Sequence, residues 1–62
     1  MTADPDERVR KLRHDLSNPL AAMLAETQLL LLRADAIDKE TVGSLREIES
    51  LARRMREILQ SS

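Results

Sequence analysis

Hydrophobic positions recur at helical spacing in two long segments of the chain. In the second segment they alternate at intervals of three and four, at Leu45, Ile48, Ala52, Met55 and Leu59. The first segment carries a comparable stripe, made of Val9, Leu12, Leu16, Leu20, Met23, Thr27 and Leu30. No alternating run reaches strand length, and good helix formers dominate. The pattern predicts an all-α protein.

Local signals set the expected bounds of both helices. Asp4 reads as an N-cap, with Pro5 at the first helical position and Glu7 closing a capping box. The first helix is predicted over about 5–33 and the loop over 34–38. Asp38 is predicted to cap a second helix over about 39–60. Because the connection is so short, the two helices should be antiparallel neighbours. We therefore expect residues 1–62 to form one domain, a helical hairpin.

The first helix becomes apolar on nearly every side beyond Pro19, and the four leucines from Leu29 to Leu32 are predicted to be core. A single partner helix cannot cover such a surface. The chain also has no cysteine and no aromatic residue with which to stabilise a small core. We therefore expect two hairpins to pack as a homodimeric four-helix bundle.

Composition excludes several classes of function. Ten basic and eleven acidic residues give a net charge of -1, too balanced for a protein that binds nucleic acid or an anionic membrane. The longest uncharged run, residues 16–25, falls well short of the roughly 20 residues that span a bilayer. The acidic N-terminus does not read as a signal peptide. We expect a cytoplasmic protein that is not inserted in a membrane and holds no metal.

One polar cluster departs from this plain helical pattern. His14, the single histidine, lies about 140° around the helix from Val9, away from the apolar stripe. Asp15 follows it and Asn18 lies one turn further on the same side, while Pro19 interrupts the helix at a cost of about 3 kcal/mol. Each polar residue alone is ordinary on a solvated helix surface. Together with the proline, they favour a functional site.

The run from His14 to Leu20, HDLSNPL, resembles the phosphoacceptor motif of two-component sensor histidine kinases. In that family the motif opens the first helix of the dimerisation and histidine-phosphotransfer domain. This chain has Asp15 where glutamate is commoner and Asn18 where threonine is commoner, and Ser17 replaces a frequent basic residue. The hairpin pattern extends the resemblance from about residue 7 to the end of the chain.

The resemblance implies a role for each residue of the cluster. His14 would be the phosphoacceptor, and Asp15 the base that holds the proton on the near ring nitrogen. Asn18 would position the water that dephosphorylates a response regulator, and Pro19 would kink the helix. A response-regulator receiver domain would dock on small uncharged side chains below His14, for which bundle packing is an equally good interpretation: Ala21, Ala22, Ala25 and Leu29.

The chain has no glycine-rich phosphate loop. The resemblance therefore places ATP and magnesium on a separate ATP-binding kinase domain, and this chain alone should bind no cofactor and should not phosphorylate itself. The antiparallel hairpin should bring His14 level with Ile58, near the arginines Arg53, Arg54 and Arg56. Two alternatives remain open: a purely structural dimerisation module and a free-standing histidine phosphotransfer protein.

Overall fold

A computed structural model describes residues 5–61 and shows two helices, α1 (Pro5–Leu31) and α2 (Lys39–Ser61), which pack against each other. No strand occurs within this range, so the predicted all-α helical hairpin is confirmed. Helix α1 ends two residues before its predicted bound, and α2 runs one residue beyond its own. The proposed N-cap, Asp4, lies outside the described residues.

The connection between the helices tightens before the chain reverses. The backbone amide of Arg33 donates to the carbonyl of Leu30 (3.0 Å), which is a three-residue step rather than the four-residue step of an α-helix. A short 3₁₀ helix, Ala34–Ala36, follows, and Ile37 is extended. This tighter turn is why α1 stops at Leu31, ahead of the bound that apolar periodicity alone predicts.

Asp38 caps α2, as the sequence predicts. Its carboxylate Oδ2 accepts a hydrogen bond from the backbone amide of Thr41 at 3.0 Å, and its carbonyl accepts the amide of Val42. Hydrogen bonds from the Thr41 side chain and backbone lower the pKa of Asp38 from its ordinary value of 3.8. The cap therefore fixes where the second helix begins.

Because the pKa of Asp38 is lower in the folded chain, the cap stabilises the fold most at a pH above 3.8. This stabilisation is lost as the pH falls through the lowered pKa. We expect Asp38→Ala to lower the melting temperature at neutral pH and to remove this acid-dependent loss, whereas Asp38→Asn retains the cap at both pH values. Thermal melts followed by circular dichroism at neutral and acidic pH would measure both effects. Equal melting temperatures for Asp38→Ala and the unaltered chain at neutral pH would contradict the assigned cap.

The buried core is small and lies in the middle of the hairpin. Leu20 and Leu24 of α1 pack with Ala52 of α2, and Leu59 packs against this cluster. Thr27 is also buried, and its hydroxyl donates to the carbonyl of Met23 at 2.8 Å. Of the predicted α1 stripe, Leu20 and Thr27 are buried, and Leu24, which lies off that stripe, is buried with them. The other predicted members are 45–59 % exposed: Val9, Leu12, Leu16, Met23 and Leu30. The prediction that Leu29 to Leu32 are core is wrong for the hairpin, because Leu32 is 82 % exposed and only Leu31 is half-buried.

A broad apolar surface remains uncovered along one side of the hairpin. At about 100° per residue, four large side chains of each helix fall on this side, next to the buried stripe. We call this surface the apolar face; it comprises Leu12, Leu16, Met23, Leu30, Ile48, Leu51, Met55 and Ile58. Each of these side chains is about half exposed, whereas only three hydrophobic residues between positions 5 and 61 are buried. The hairpin, a rod of 55 × 15 × 13 Å, therefore exposes more of its large hydrophobic side chains than it buries.

Gly43 lies on the solvent side of α2, where a methyl group would meet no atom within 4 Å. Its φ is not positive, so no backbone constraint requires glycine there. We expect Gly43→Ala to raise the free energy of unfolding by about 1 kcal/mol through helix propensity alone. Denaturant titration followed by circular dichroism would measure the change. A destabilised variant would instead indicate that another chain approaches this position closely.

Neither helix, over the described residues, combines the length and apolar character that crossing a membrane requires.

Candidate functional site

His14 lies on α1, and 75 % of its side chain is exposed. The ring Nδ1 lies 3.7 Å from Oδ1 of Asp15, whose side chain is 55 % exposed. This distance is longer than a hydrogen bond, and a small rotation of either side chain would bring the two atoms within hydrogen-bonding distance. The predicted exposure of His14 is confirmed. The site thus presents an accessible imidazole with a carboxylate beside one of its two nitrogens.

The same carboxylate has a second neighbour that the sequence analysis missed. Nζ of Lys11 lies 3.5 Å from Oδ2 of Asp15. The signal was available in the sequence, because a lysine four residues before an aspartate is a common ion-pair spacing on a helix. Lys11, His14 and Asp15 therefore form one charged group on the surface of α1.

The backbone of α1 is perturbed within a turn of His14. The hydroxyl of Ser17 donates to the carbonyl of Arg13 at 2.7 Å, a contact that often bends helices. Pro19 has no amide hydrogen, so the carbonyl of Asp15 lacks its usual helical donor. Helix α1 nevertheless continues through Pro19 to Leu31. The kink expected at Pro19 stays a prediction.

The remaining residues of the predicted site share the side of α1 that carries His14. Asn18 is exposed and lies about 40° around the helix from His14, one turn further along. The predicted docking residues are exposed as well, and they continue the same side toward the loop: Ala21, Ala22, Ala25 and Leu29. Ala25 and Leu29 line one shallow groove with Gln28 and Leu32. The structure thus joins part of this set in one surface and adds Leu32 to it.

The register of the hairpin agrees with the sequence prediction. Leu16, two residues after His14, lines a groove of about 210 Å³ with Ile58 and Leu59 of α2. Pro19 and Met55 border the same groove. The His14 end of α1 therefore lies beside the C-terminal part of α2.

Two of the three arginines near the end of α2 line the same groove. Arg53 and Arg54 line a separate open groove formed by α2, together with Glu57. A carboxylate oxygen of Glu49 lies 3.3 Å from the guanidinium of Arg53. Arg56 does not line this groove. Two acidic side chains close to these arginines weaken their attraction for a phosphate group.

Among residues 5–61, no group of three or more histidine, cysteine, aspartate or glutamate side chains is arranged to hold a metal ion. The chemistry that these residues offer is that of an exposed imidazole and its acidic neighbour.

Comparisons with protein-family models, with curated proteins and with solved structures find no match to this chain. The function is therefore inferred from the residues around His14 and from the hairpin that carries them.

Proposed function

We propose that this chain is the dimerisation and histidine-phosphotransfer domain of a two-component sensor histidine kinase and that it lies in the cytoplasm. The observation that carries this proposal is the exposed imidazole of His14 with the carboxylate of Asp15 3.7 Å from its Nδ1, inside the HDLSNPL motif. An acceptor must be accessible to a second protein, and its attacking nitrogen must carry a lone pair. The exposure of His14 supports the first requirement, and the carboxylate beside Nδ1 supports the second by favouring a proton on that nitrogen.

The proposed reaction forms a bond between Nε2 of His14 and the terminal phosphorus of ATP held by a separate ATP-binding domain. The bond from that phosphorus to the bridging oxygen breaks, and ADP leaves. Because Nδ1 keeps its proton, the ring becomes cationic as the new bond forms. The nearby Asp15 carboxylate stabilises that charge and favours the tautomer in which Nε2 is free to attack.

In the second half of the proposed cycle, an aspartate of a receiver domain takes the phosphoryl group from His14. The small exposed residues Ala21, Ala22 and Ala25 allow close approach of a helix from that partner. They lie on the same side of α1 as the acceptor, so a docked receiver would face His14. Leu29 and Leu32 extend this surface with apolar side chains.

A second copy of the chain completes the proposed domain. Burial of the apolar face in a four-helix bundle removes its half-exposed side chains from water, and each such side chain contributes roughly 1 kcal/mol at about 25 cal/mol per Å². His14 lies on the other side of α1 and stays accessible. The same apolar face argues against a monomeric, free-standing phosphotransfer protein, because one hairpin leaves it in water.

A fusion protein tests the proposal directly. Joining the ATP-binding domain of a sensor histidine kinase after Ser62 raises its effective concentration to the millimolar range, so weak docking does not limit the reaction. Incubation with ATP labelled on its terminal phosphate should then give an acid-labile, alkali-stable label on the chain. Absence of label would favour the alternative of a structural dimerisation module, which the apolar face alone supports.

Asn18 gives a separate prediction about dephosphorylation. We expect Asn18→Ala to leave the labelling of His14 unchanged and to slow the loss of phosphate from a phosphorylated receiver domain about tenfold or more, since positioned catalytic groups contribute at least that much. The decay of labelled receiver, with and without the chain, is the measurement. Ser44→Ala is the control, because it removes an exposed polar side chain from α2 near the loop, away from His14 and from the docking surface. Equal decay rates for both variants would remove the role assigned to Asn18.

A further inference from the structure

The carboxylate of Asp15 is shared between two neighbours on α1. One oxygen, Oδ2, lies 3.5 Å from the ammonium of Lys11, and the other, Oδ1, lies 3.7 Å from Nδ1 of His14. All three side chains are more than half exposed. The carboxylate thus links a permanent cation to the imidazole.

Helix geometry explains why such a link is needed. Adjacent residues point about 100° apart, so the side chains of His14 and Asp15 diverge unless something turns one toward the other. Lys11 precedes His14 by three residues and Asp15 by four, which places it between them around the helix. Its attraction therefore draws the Asp15 carboxylate toward the side that carries the imidazole.

No other cation occupies a neighbouring helix position of Asp15. The residues three and four positions away on either side are Lys11, Leu12, Asn18 and Pro19. Lys11 is therefore the one cation at the positions from which an ion pair along the helix normally reaches Asp15.

We propose that Lys11 is a positioning residue for the phosphoacceptor. Its ammonium holds the Asp15 carboxylate beside Nδ1 of His14, so that Nδ1 keeps the proton and Nε2 is the nucleophile. The proposal deepens the proposed function, on which its biological meaning rests. An exposed ion pair at this spacing is worth a few tenths of a kcal/mol, which corresponds to a change of about twofold in the tautomer ratio of the imidazole.

The first test measures the imidazole tautomer in the 62-residue chain by nitrogen-15 NMR at about pH 8.5, where a histidine is neutral. Lys11→Gln should lower the ratio of the Nδ1-protonated to the Nε2-protonated form about twofold. Lys11→Arg should keep the original ratio. Lys39→Gln, the same change at the loop end of the hairpin, should also keep it.

The second test uses phosphoramidate, which phosphorylates imidazole without any partner domain. Nε2 of the neutral ring bonds to phosphorus, the phosphorus–nitrogen bond of the donor breaks, and ammonia leaves, while Nδ1 keeps its proton and the ring becomes cationic. Lys11→Gln should react about twofold more slowly and place a larger share of phosphate on Nδ1. At about 1 M salt, where screening acts within roughly 3 Å, this difference should disappear.

An unchanged tautomer ratio in Lys11→Gln would overturn the proposal, and so would an increased ratio, which would show that Lys11 competes with the ring for the carboxylate. Circular dichroism confirms that each variant keeps its helices. Neither readout needs ATP or a second domain. A fused chain that takes no label from ATP, together with a shifted tautomer ratio, would therefore reject the proposed function and keep the role of Lys11.

Discussion

Replacing His14 by alanine is expected to reduce phosphoryl labelling of the fused chain to background. His14 is the single histidine of the chain, so no second imidazole can take its place. The measurement is incorporation of label from ATP, with the acid lability of the bond to identify phosphohistidine. His14→Gln should give the same result, because an amide of similar size has no nucleophilic nitrogen.

A substitution of the neighbouring Asp15 should reduce the rate of labelling without abolishing it. Asp15→Asn keeps the size of the side chain and removes its charge, so labelling should continue at a rate about a hundredfold lower. Equal helicity by circular dichroism would show that both variants fold. Label retained in His14→Ala, at the original rate, would rule out the assigned acceptor.

The second large effect concerns assembly. Met55 lies near the centre of the apolar face on α2 and borders the groove that Leu16 and Ile58 line. Because a buried, unpaired ammonium costs about 3 kcal/mol or more, Met55→Lys should raise the dissociation constant of the proposed homodimer about a hundredfold or more. Sedimentation equilibrium over a concentration series measures the change, against twice the 7.0 kDa mass of one chain.

Leu32→Lys is the matched control for this experiment. Leu32 is 82 % exposed and lies on the other side of α1, so a lysine there should leave the homodimer intact. Loss of helicity in Met55→Lys at low concentration is expected, because the folded hairpin and the assembly are then linked. A Met55→Lys chain that still sediments as a dimer would exclude the apolar face as the interface.

The sequence was sufficient to predict the hairpin because its signals are local. Apolar spacing sets the two helices, and Asp38 sets the start of α2 through a hydrogen bond to the amide three residues later. The end of α1 was less accurate, since the 3₁₀ turn at Ala34–Ala36 depends on how the chain reverses. Capping residues thus predict helix ends more reliably than apolar periodicity does.

Periodicity assigned burial only in part, because Leu20, Thr27 and Ala52 are buried as their stripes predict and Leu24 is buried although it lies off its stripe. Met23 and Leu24 are adjacent and similarly apolar, and only the position of α2 decides that Leu24 is buried while Met23 is 54 % exposed. The leucines near the end of α1 extend beyond what one neighbouring helix can cover. A single hairpin has one contact surface per helix, so most apolar residues in the described part of the chain are exposed in the single hairpin.

Within the candidate site, the exposure of His14 followed from its angle to the apolar stripe. The contact between Lys11 and Asp15 did not, because the motif that directs attention to the cluster begins at His14 and Lys11 precedes it. Such a residue is found when the charge spacings next to a motif are checked as well as the motif itself.

The location of the core has a mechanical consequence. Leu20, Leu24 and Ala52 clamp the middle of the rod, and the peptide connection ties one end. The opposite end, where His14 lies beside the C-terminal turns of α2, has no covalent tie, and exposed side chains such as Leu16 and Ile58 contribute to its contacts. We therefore expect the two helices to separate most easily at that end. A pull or twist applied through the first turns of α1 would change the distance between the helices there more than elsewhere.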